Sequence, residues 1–285
     1  MALVKALACE LPARLGLPLS RFSRQELRRH VLSAGIVAEI SGMTIWRWLR
    51  DDAIRPWSHR SWVFPRDPDF AAKAGRVLDL YHRRWNGRAL GPRDFVLSAD
   101  EKTQILIRSR RHPTLPPGPG RGQRVEHEYR RHGTCAYIAA WDVHRARLFG
   151  HVLPSISISA FDALVAHVME QEPYRHARRV FWVVDNGTIH RGERAIRRLR
   201  AQWPNLILVH LPRHASWLNQ IEIYFSILQR KALTPGGFPS IKEVTERILN
   251  FQRHYQELAR PFTWKFTRSD LQRLMNRTQT MDAAA

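Results

Sequence analysis

Apolar residues recur along this chain with two different periods, and the change comes near residue 93. Ahead of it the spacing is helical. Ser23 and Glu26 stand in a capping-box arrangement before Leu27, Val31 and Leu32, so a helix starts after Ser23. Gly35 interrupts the pattern, and Ile36, Val37 and Ile40 carry the apolar set onward. Ser41-Gly42-Met43-Thr44 then offers a second turn and cap before Ile45-Trp46-Arg47-Trp48-Leu49-Arg50. A second helix there would bury Ile45 and Leu49 and turn Trp46, Arg47 and Arg50 outward, the helix-turn-helix pattern suited to a DNA major groove. An ordinary helical hairpin with a polar outer face is the alternative. Arg55-Pro56-Trp57 ends this helix, and the Pro-, Arg- and aromatic-rich run to Pro68 reads as a linker. From Phe70 to Arg84, Ala71, Ala74, Val77, Leu78 and Tyr81 share one face of a further helix, which should dock against the neighbouring strand-rich region.

From Arg93 the pattern becomes that of strands alternating with helices. Phe95-Val96-Leu97-Ser98-Ala99 is a short buried-strand run that ends at Asp100-Glu101, and Thr103–Ile107 either continues it or begins a neighbour. Residues 112–124 form a Pro/Gly/Arg loop. Gly133–Trp141 and Arg147–Leu153 predict a hairpin turning around 142–145, Ser159–Glu172 an amphipathic helix, and Val180-Phe181-Trp182-Val183-Val184 a fully buried central strand. Arg191–Trp203 reads as a basic helix, Leu206–Leu211 as a strand, Ser216–Leu233 as one long helix and Ser240–Leu258 as the last. The fold class is therefore α/β, a mixed sheet flanked by helices and preceded by a small all-α domain.

Charge narrows the partners. Lys and Arg number 46 against 25 Asp and Glu, a net +21, with a sequence pI near 11.3, far beyond what solubility requires. A polyanion is the natural ligand, because neutralising phosphates releases condensed counterions. An arginine-rich composition imposed by a GC-rich genome would produce part of the same excess. No apolar run approaches the roughly 18 residues of a spanning helix, and no secretory leader is evident. Two cysteines, Cys9 and Cys135, make neither a disulfide framework nor a zinc motif, so a cytoplasmic protein with no membrane partner is expected.

The acids carry the chemistry. Two of the most apolar strands end in Asp100 and Asp185, and ligand sites in α/β sheets lie beyond strand carboxyl ends. Between them lie 84 residues (101–184), room for a hairpin, a helix and a return strand. A single strand-end aspartate is often only a turn former. Glu222 adds a third acid on the border of the stripe Trp217, Leu218, Ile221, Tyr224, Phe225 and Leu228, separated by 36 residues (186–221) from Asp185. Three convergent carboxylates repel one another unless divalent cations sit among them. Hard oxygen ligands suit Mg²⁺ or Mn²⁺, and a pair of such ions can cleave a phosphodiester.

The segments Leu97-Ser98-Ala99-Asp100-Glu101, Val183-Val184-Asp185-Asn186 and Ser216-Trp217-Leu218-Asn219-Gln220-Ile221-Glu222 resemble the three acidic motifs of the bacterial IS630-type transposases of the Tc1/mariner superfamily. The resemblance runs from about Leu3 to Ala232 and includes Asp67-Pro68-Asp69-Phe70. It implies an RNase H-like DDE catalytic domain that cuts DNA at the ends of a mobile element and joins the 3′ hydroxyls to target DNA, typically at TA. It also implies Asp100, Asp185 and Glu222 as catalytic metal ligands for two Mg²⁺ or Mn²⁺ ions, with Asn186, Asn219 and His190 in support. A homodimer holding two inverted-repeat ends is the corresponding assembly. Two helix-turn-helix units are usual in that family, and only one is legible here, so the N-terminus is expected to be truncated. The rival readings are a nuclease that does not join strands and a DNA-binding descendant without catalysis.

The expected organisation is a DNA-binding domain over 1–57, a linker and docking helix over 58–92, the catalytic domain over 93–260 and a tail over 261–285, frayed from Asp282. Expected DNA contacts are Thr44, Trp46, Arg47 and Arg50, together with Arg194, Arg197 and Arg198 on one face of the basic helix. The arginine-rich loop 108–131 either embraces DNA or a second subunit, or is simply solvated.

Overall fold

The computed structural model describes residues 1–59 and 65–282. The expected linker therefore lies partly, at 60–64, outside the described residues, and so does the end of the expected frayed terminus, 283–285. The chain forms two compact units, Met1–Phe64 and Pro65–Ala285.

The first unit packs helices α1 (Ala2–Cys9), α2 (Arg24–Ser33) and α3 (Gly42–Asp51) around Val4, Ala8, Leu27, Val31, Ile45 and Leu49. Ser23 and Glu26 close the capping box of α2, and the Ser41 hydroxyl accepts from the Thr44 N–H at the start of α3. Arg28 Nε donates to the Ile40 carbonyl across the turn at 2.6 Å. Ile45 and Leu49 are buried while Arg47 and Arg50 are exposed, and the Arg50 guanidinium lies 5.0 Å from the centre of the partly buried Trp46 ring. Helix α1 was not legible in the pattern. Its charged Lys5 pairs with Asp52 at 2.6 Å while Val4 and Ala8 face the core.

The second unit opens with α4 (Phe70–Tyr81), which ends before the small ribbon β1 (Arg84–Trp85) and β2 (Arg88–Ala89) instead of running to Arg84. Next come β3 (Asp94–Ser109), β4 (Arg130–Asp142), β5 (Leu148–Leu153), α5 (Ile158–Met169), β6 (Arg179–Val184), α6 (Gly192–Gln202), β7 (Leu206–His210), α7 (Ile221–Leu228), α8 (Ile241–Leu258) and α9 (Arg268–Asp282). Five strands form one mixed sheet in the order β5-β4-β3-β6-β7, with β3, β6 and β7 parallel and β4 and β5 antiparallel.

Strand alternation sorts the core into two layers. Val96, Tyr137, Ala139, Trp141, Phe181, Val183 and Val209 face α4, α7 and α8. Phe95, Leu97, Ala99, Ile138, Ala140, Val180, Trp182 and Val184 face α5 and α6. Both faces of the sheet are covered, which is why the central strands read as unbroken apolar runs.

Three expectations need correction. Asp100, read as the end of its strand, lies within it, because Thr103–Ile107 takes the first of its two readings and continues β3. Pairing with β4 carries β3 past its polar stretch, with a bulge between Lys102 and Ile105 where Gln104 takes φ 57°. Ser216–Leu233 is not one helix: a 3₁₀ turn at Ser216–Leu218 stops at the extended Asn219, α7 begins at Ile221, and a π turn succeeds it at Gln229–Leu233. The stretch from 261, read as a tail, carries α9, whose Leu271 is buried and whose Arg268 pairs with Asp79 of α4 at 2.5 Å. No helix among the described residues is long and apolar enough to cross a membrane.

Candidate active site

Asp100 occupies the point on β3 where the parallel partner β6 gives out. The last pair is Ser98 with Val183, while Asp100 itself still pairs with Ala139 of β4. Asp185 is the first residue after β6. Both acids thus stand at the carboxyl edge of β6, where the sheet leaves a crevice. Glu222 comes from the first turn of α7. Asn219 explains the break ahead of that helix. Its amide donates to the Ala99 carbonyl at 2.9 Å and to Asp100 Oδ2 at 3.1 Å, while its oxygen accepts from Ser98 Oγ. Ser98 Oγ in turn accepts from the Ile221 N–H at 2.9 Å. These side-chain bonds replace a helical turn and fasten the start of α7 to β3. The buried Tyr81 hydroxyl donates to the Leu218 carbonyl at 2.7 Å from the α4 side. Asp67, at the head of α4, accepts from the Arg213 N–H at 3.0 Å.

Asp185 Oδ1 takes two donors, the Gly187 N–H at 2.6 Å and His190 Nε2 at 2.5 Å, so Oδ2 is the oxygen left for a ligand. His190, expected in support of the acids, is wholly buried. Its backbone carbonyl accepts from His210 Nε2 at 2.9 Å, and its Nδ1 lies 3.7 Å from Glu101 Oε1. Among the described hydrogen bonds, none joins the Asn186 side chain to these acids. It donates to the Leu211 carbonyl at 2.7 Å and so fixes the exit from β7.

The charges are strongly coupled. Burial pushes the Asp100 carboxyl up to about 7, and the neighbouring Asp185, Glu101 and Glu222 charges add to the rise. Partial burial raises Glu222 as well, Lys102 opposing and Asp185 reinforcing the shift. Burial likewise raises Glu101, with His190 pulling the other way. The bond from His190 holds Asp185 below the usual carboxylate range despite its partial burial. For His190 burial disfavours the cation, but Asp185 and Glu101 outweigh it and raise its pKa.

The three predicted acids therefore share one electrostatic site, whose like charges are costly without a cation among them. Among the described residues, no three His, Cys, Asp or Glu side chains are placed so that together they could hold a metal ion. The fit to a divalent ion lies in donor chemistry: hard carboxylates, mutually repelled, with Asp185 Oδ2 unengaged.

Residues 96–245 match the family described as DDE superfamily endonuclease, a span that takes in all three acids. The chain belongs to this family. Among solved structures it is similar to the Mos1 mariner paired end complex with Mn, at 15% identity and a TM-score of 0.52, over 94% of this chain and 80% of that one. The Mos1 strand transfer complex gives 15% and 0.51 over 94% and 79%, and the Mos1 paired end complex with Mg gives 15% and 0.51 over 94% and 80%. At that identity the likeness is one of fold, and it marks the mixed sheet of this DDE endonuclease as RNase H-like. No curated protein matches the chain by sequence.

An open cleft of about 390 Å³ adjoins Asp185 in this DDE endonuclease, lined by Asn186, Gly187, Arg191, Arg213 and His214 among others. Arg191, Arg213 and His214 are exposed there and give the cleft a basic wall. None of the three is among the residues expected at the site, and neither are Glu101, Lys102 and Tyr81. The pairing of two acids at Asp100-Glu101 was the one signal available. Of the arginines expected to face DNA, Arg194 and Arg197 are exposed, but Arg198 is bound to Asp162 at 2.9 Å and serves the packing of α6 on α5. Strands β3 and β4 run into the arginine-rich loop, which narrows at the bridges Leu115–Arg124 and Gly118–Arg121.

Gly187 leaves no room for a side chain. A Cβ there would lie 2.9 Å from Asp185 Oδ1 and 3.1 Å from His190 Cε1. Gly187→Ala is expected to dislodge the Asp185–His190 pair and lower DNA cleavage by about 10- to 100-fold, as misplacement of a reacting group does. A steady-state nicking assay that found wild-type rates would show the pair is not needed in this position.

Proposed function

We propose that this DDE endonuclease is a transposase of the IS630 type, cutting DNA at the ends of a mobile element and joining the released 3′ hydroxyls to target DNA. The observation that carries the reading is the shared site of Asp100, Asp185 and Glu222, in which Asp100 feels the charges of the other two. Asp100, Asp185 through Oδ2, and Glu222 would hold Mg²⁺ or Mn²⁺, two ions in the full site. Bound divalent cations supply activation of the attacking oxygen and stabilisation of the leaving one. The protein's own part is to fix the acids: Asn219 holds Asp100, His190 holds Asp185, and Ser98 anchors the helix that bears Glu222. Asn186 acts one step back, through Leu211. The basic cleft wall and the exposed Arg194 and Arg197 supply counter-charge for the phosphodiester backbone.

Recognition of DNA sequence is assigned to the first unit, with Thr44, Trp46, Arg47 and Arg50 of α3 towards the bases or phosphates. The DNA is double-stranded, with inverted repeats at the element ends and a TA target, and a homodimer brings the two ends together. Incubating the protein with DNA carrying its cognate ends, a target plasmid and Mg²⁺ or Mn²⁺ tests this. Nicked ends and joined products are expected. Cleavage without joining would leave a nuclease, and salt-sensitive binding without cleavage a DNA-binding protein.

A further inference from the structure

One buried pair beside the proposed ligands has no hydrogen-bond partner. Glu101 Oε1 and His190 Nδ1 are both sealed from solvent and both unbonded, and they lie 3.7 Å apart. An unpaired buried carboxylate oxygen is costly, so its persistence next to a buried imidazole calls for a function. The residue is held at three points other than Nδ1. Its Nε2 meets Asp185 Oδ1 at 2.5 Å, the Phe161 ring lies 5.2 Å away between centroids, and its carbonyl is bonded by His210.

Alternation along β3 turns Glu101 to the face opposite Asp100, the face that Ala99 shares with α5 and α6. Asp100 is tied by Asn219 to the α7 side. Glu101 is therefore directed away from the α7 side that bears Glu222, and the His190 ring stands between its Oε1 and Asp185 Oδ1, although the two carboxylates also repel each other directly.

We propose that Glu101 is a positioning residue that acts through His190: it orients the imidazole so that Nε2 pins Asp185 Oδ1 and turns Oδ2 towards a divalent cation. This rests on the reading of Asp185 as a cation ligand. Carboxylate partners that orient a metal-ligating histidine change metal affinity by roughly 10- to 100-fold when removed. Here the histidine orients the ligand instead of being one, and the same leverage applies.

The test is a Mn²⁺ titration of the full chain, monitored by the loss of the free-ion electron paramagnetic resonance signal, with thermal melts in parallel. Glu101→Gln is expected to weaken Mn²⁺ binding by about tenfold or more, with metal-free DNA binding and the melting transition retained. In a His190→Gln background, where Nδ1 is gone, the same change is expected to weaken binding less than twofold, because two residues in one chain of contacts are not additive. Equal weakening in both backgrounds would overturn the proposal, since Glu101 would then act directly as a ligand or by its charge alone. Unchanged affinity in Glu101→Gln would also overturn it.

Should Glu101→Gln fail to fold, Glu101→Asp keeps the charge and withdraws the oxygen. Weakened binding is expected, and wild-type affinity would sink the positioning role. Asp185→Asn separates the cation site from its support. If it binds Mn²⁺ like wild type, the cation reading itself falls. If it loses Mn²⁺ while Glu101→Gln does not, only the role of Glu101 falls.

Discussion

Asp185→Asn is expected to fold, to bind DNA as wild type does, and to lose both nicking and joining by on the order of a thousandfold, the several kcal/mol of transition-state stabilisation that a cation-holding carboxylate supplies. Asparagine has the same size, and its oxygen still accepts from the Gly187 N–H and from His190, so the local hydrogen bonds survive. What disappears is a negative charge. Its removal relieves the repulsion that raises Asp100 and Glu222 but also gives up the attraction of His190 that holds Asp185 below the usual carboxylate range, so melting is expected to stay level or to fall slightly. Gel-based cleavage and joining assays beside a filter-binding isotherm and a thermal melt make the comparison. Retention of more than a tenth of wild-type cleavage would remove Asp185 from the chemistry.

Asn219→Ala should strike stability and activity together. The asparagine is 1% exposed and bonds the Ala99 carbonyl, Asp100 and Ser98. Truncation leaves these partners unpaired in a dry interior, at a cost of about 2 to 4 kcal/mol. For a unit of this size the melting point should fall by roughly 5–15 °C. Among the described hydrogen bonds, the start of α7 is then tied to β3 by the bond from the Ile221 N–H to Ser98 alone, so Glu222 loses its fixed approach. Cleavage is expected to drop by about 100-fold at temperatures where the variant remains folded. Differential scanning calorimetry and cleavage at 20 °C separate the two effects. A variant that melts early but cuts normally when folded would confine Asn219 to a purely structural part.

The sheet was legible because its strands are buried on both faces, and residues such as Val180–Val184 have no polar position to confuse the period. The grouping of Asp100, Asp185 and Glu222 could be anticipated because each acid interrupts or borders an apolar segment. Glu101 was hidden for the same reason that β3 was cut short. A run of polar residues from Asp100 to Gln104 looks like a loop in sequence, and only pairing with β4 makes it strand. The break at Asn219 could not be read either. Trp217, Leu218 and Ile221 have helical spacing, but the Asn219 side chain competes for bonds that lie some 120 residues away, with Ala99 and Asp100. Helix α9 has a weak apolar stripe and docks through Leu271 and the Arg268–Asp79 pair, a long-range contact with no local signature.

The connection from β7 to α7 is stitched down at close intervals: Leu211 to Asn186, Arg213 to Asp67, Leu218 to Tyr81 and Asn219 to β3. Surface connections ordinarily absorb inserted or deleted residues with little penalty. This one has no slack to absorb them, because lengthening or shortening it by a single residue would unseat at least one stitch and shift Glu222 relative to Asp185. The interval of 36 residues between those two acids (186–221) is thus a mechanical dimension of the protein, set by where the stitches fall.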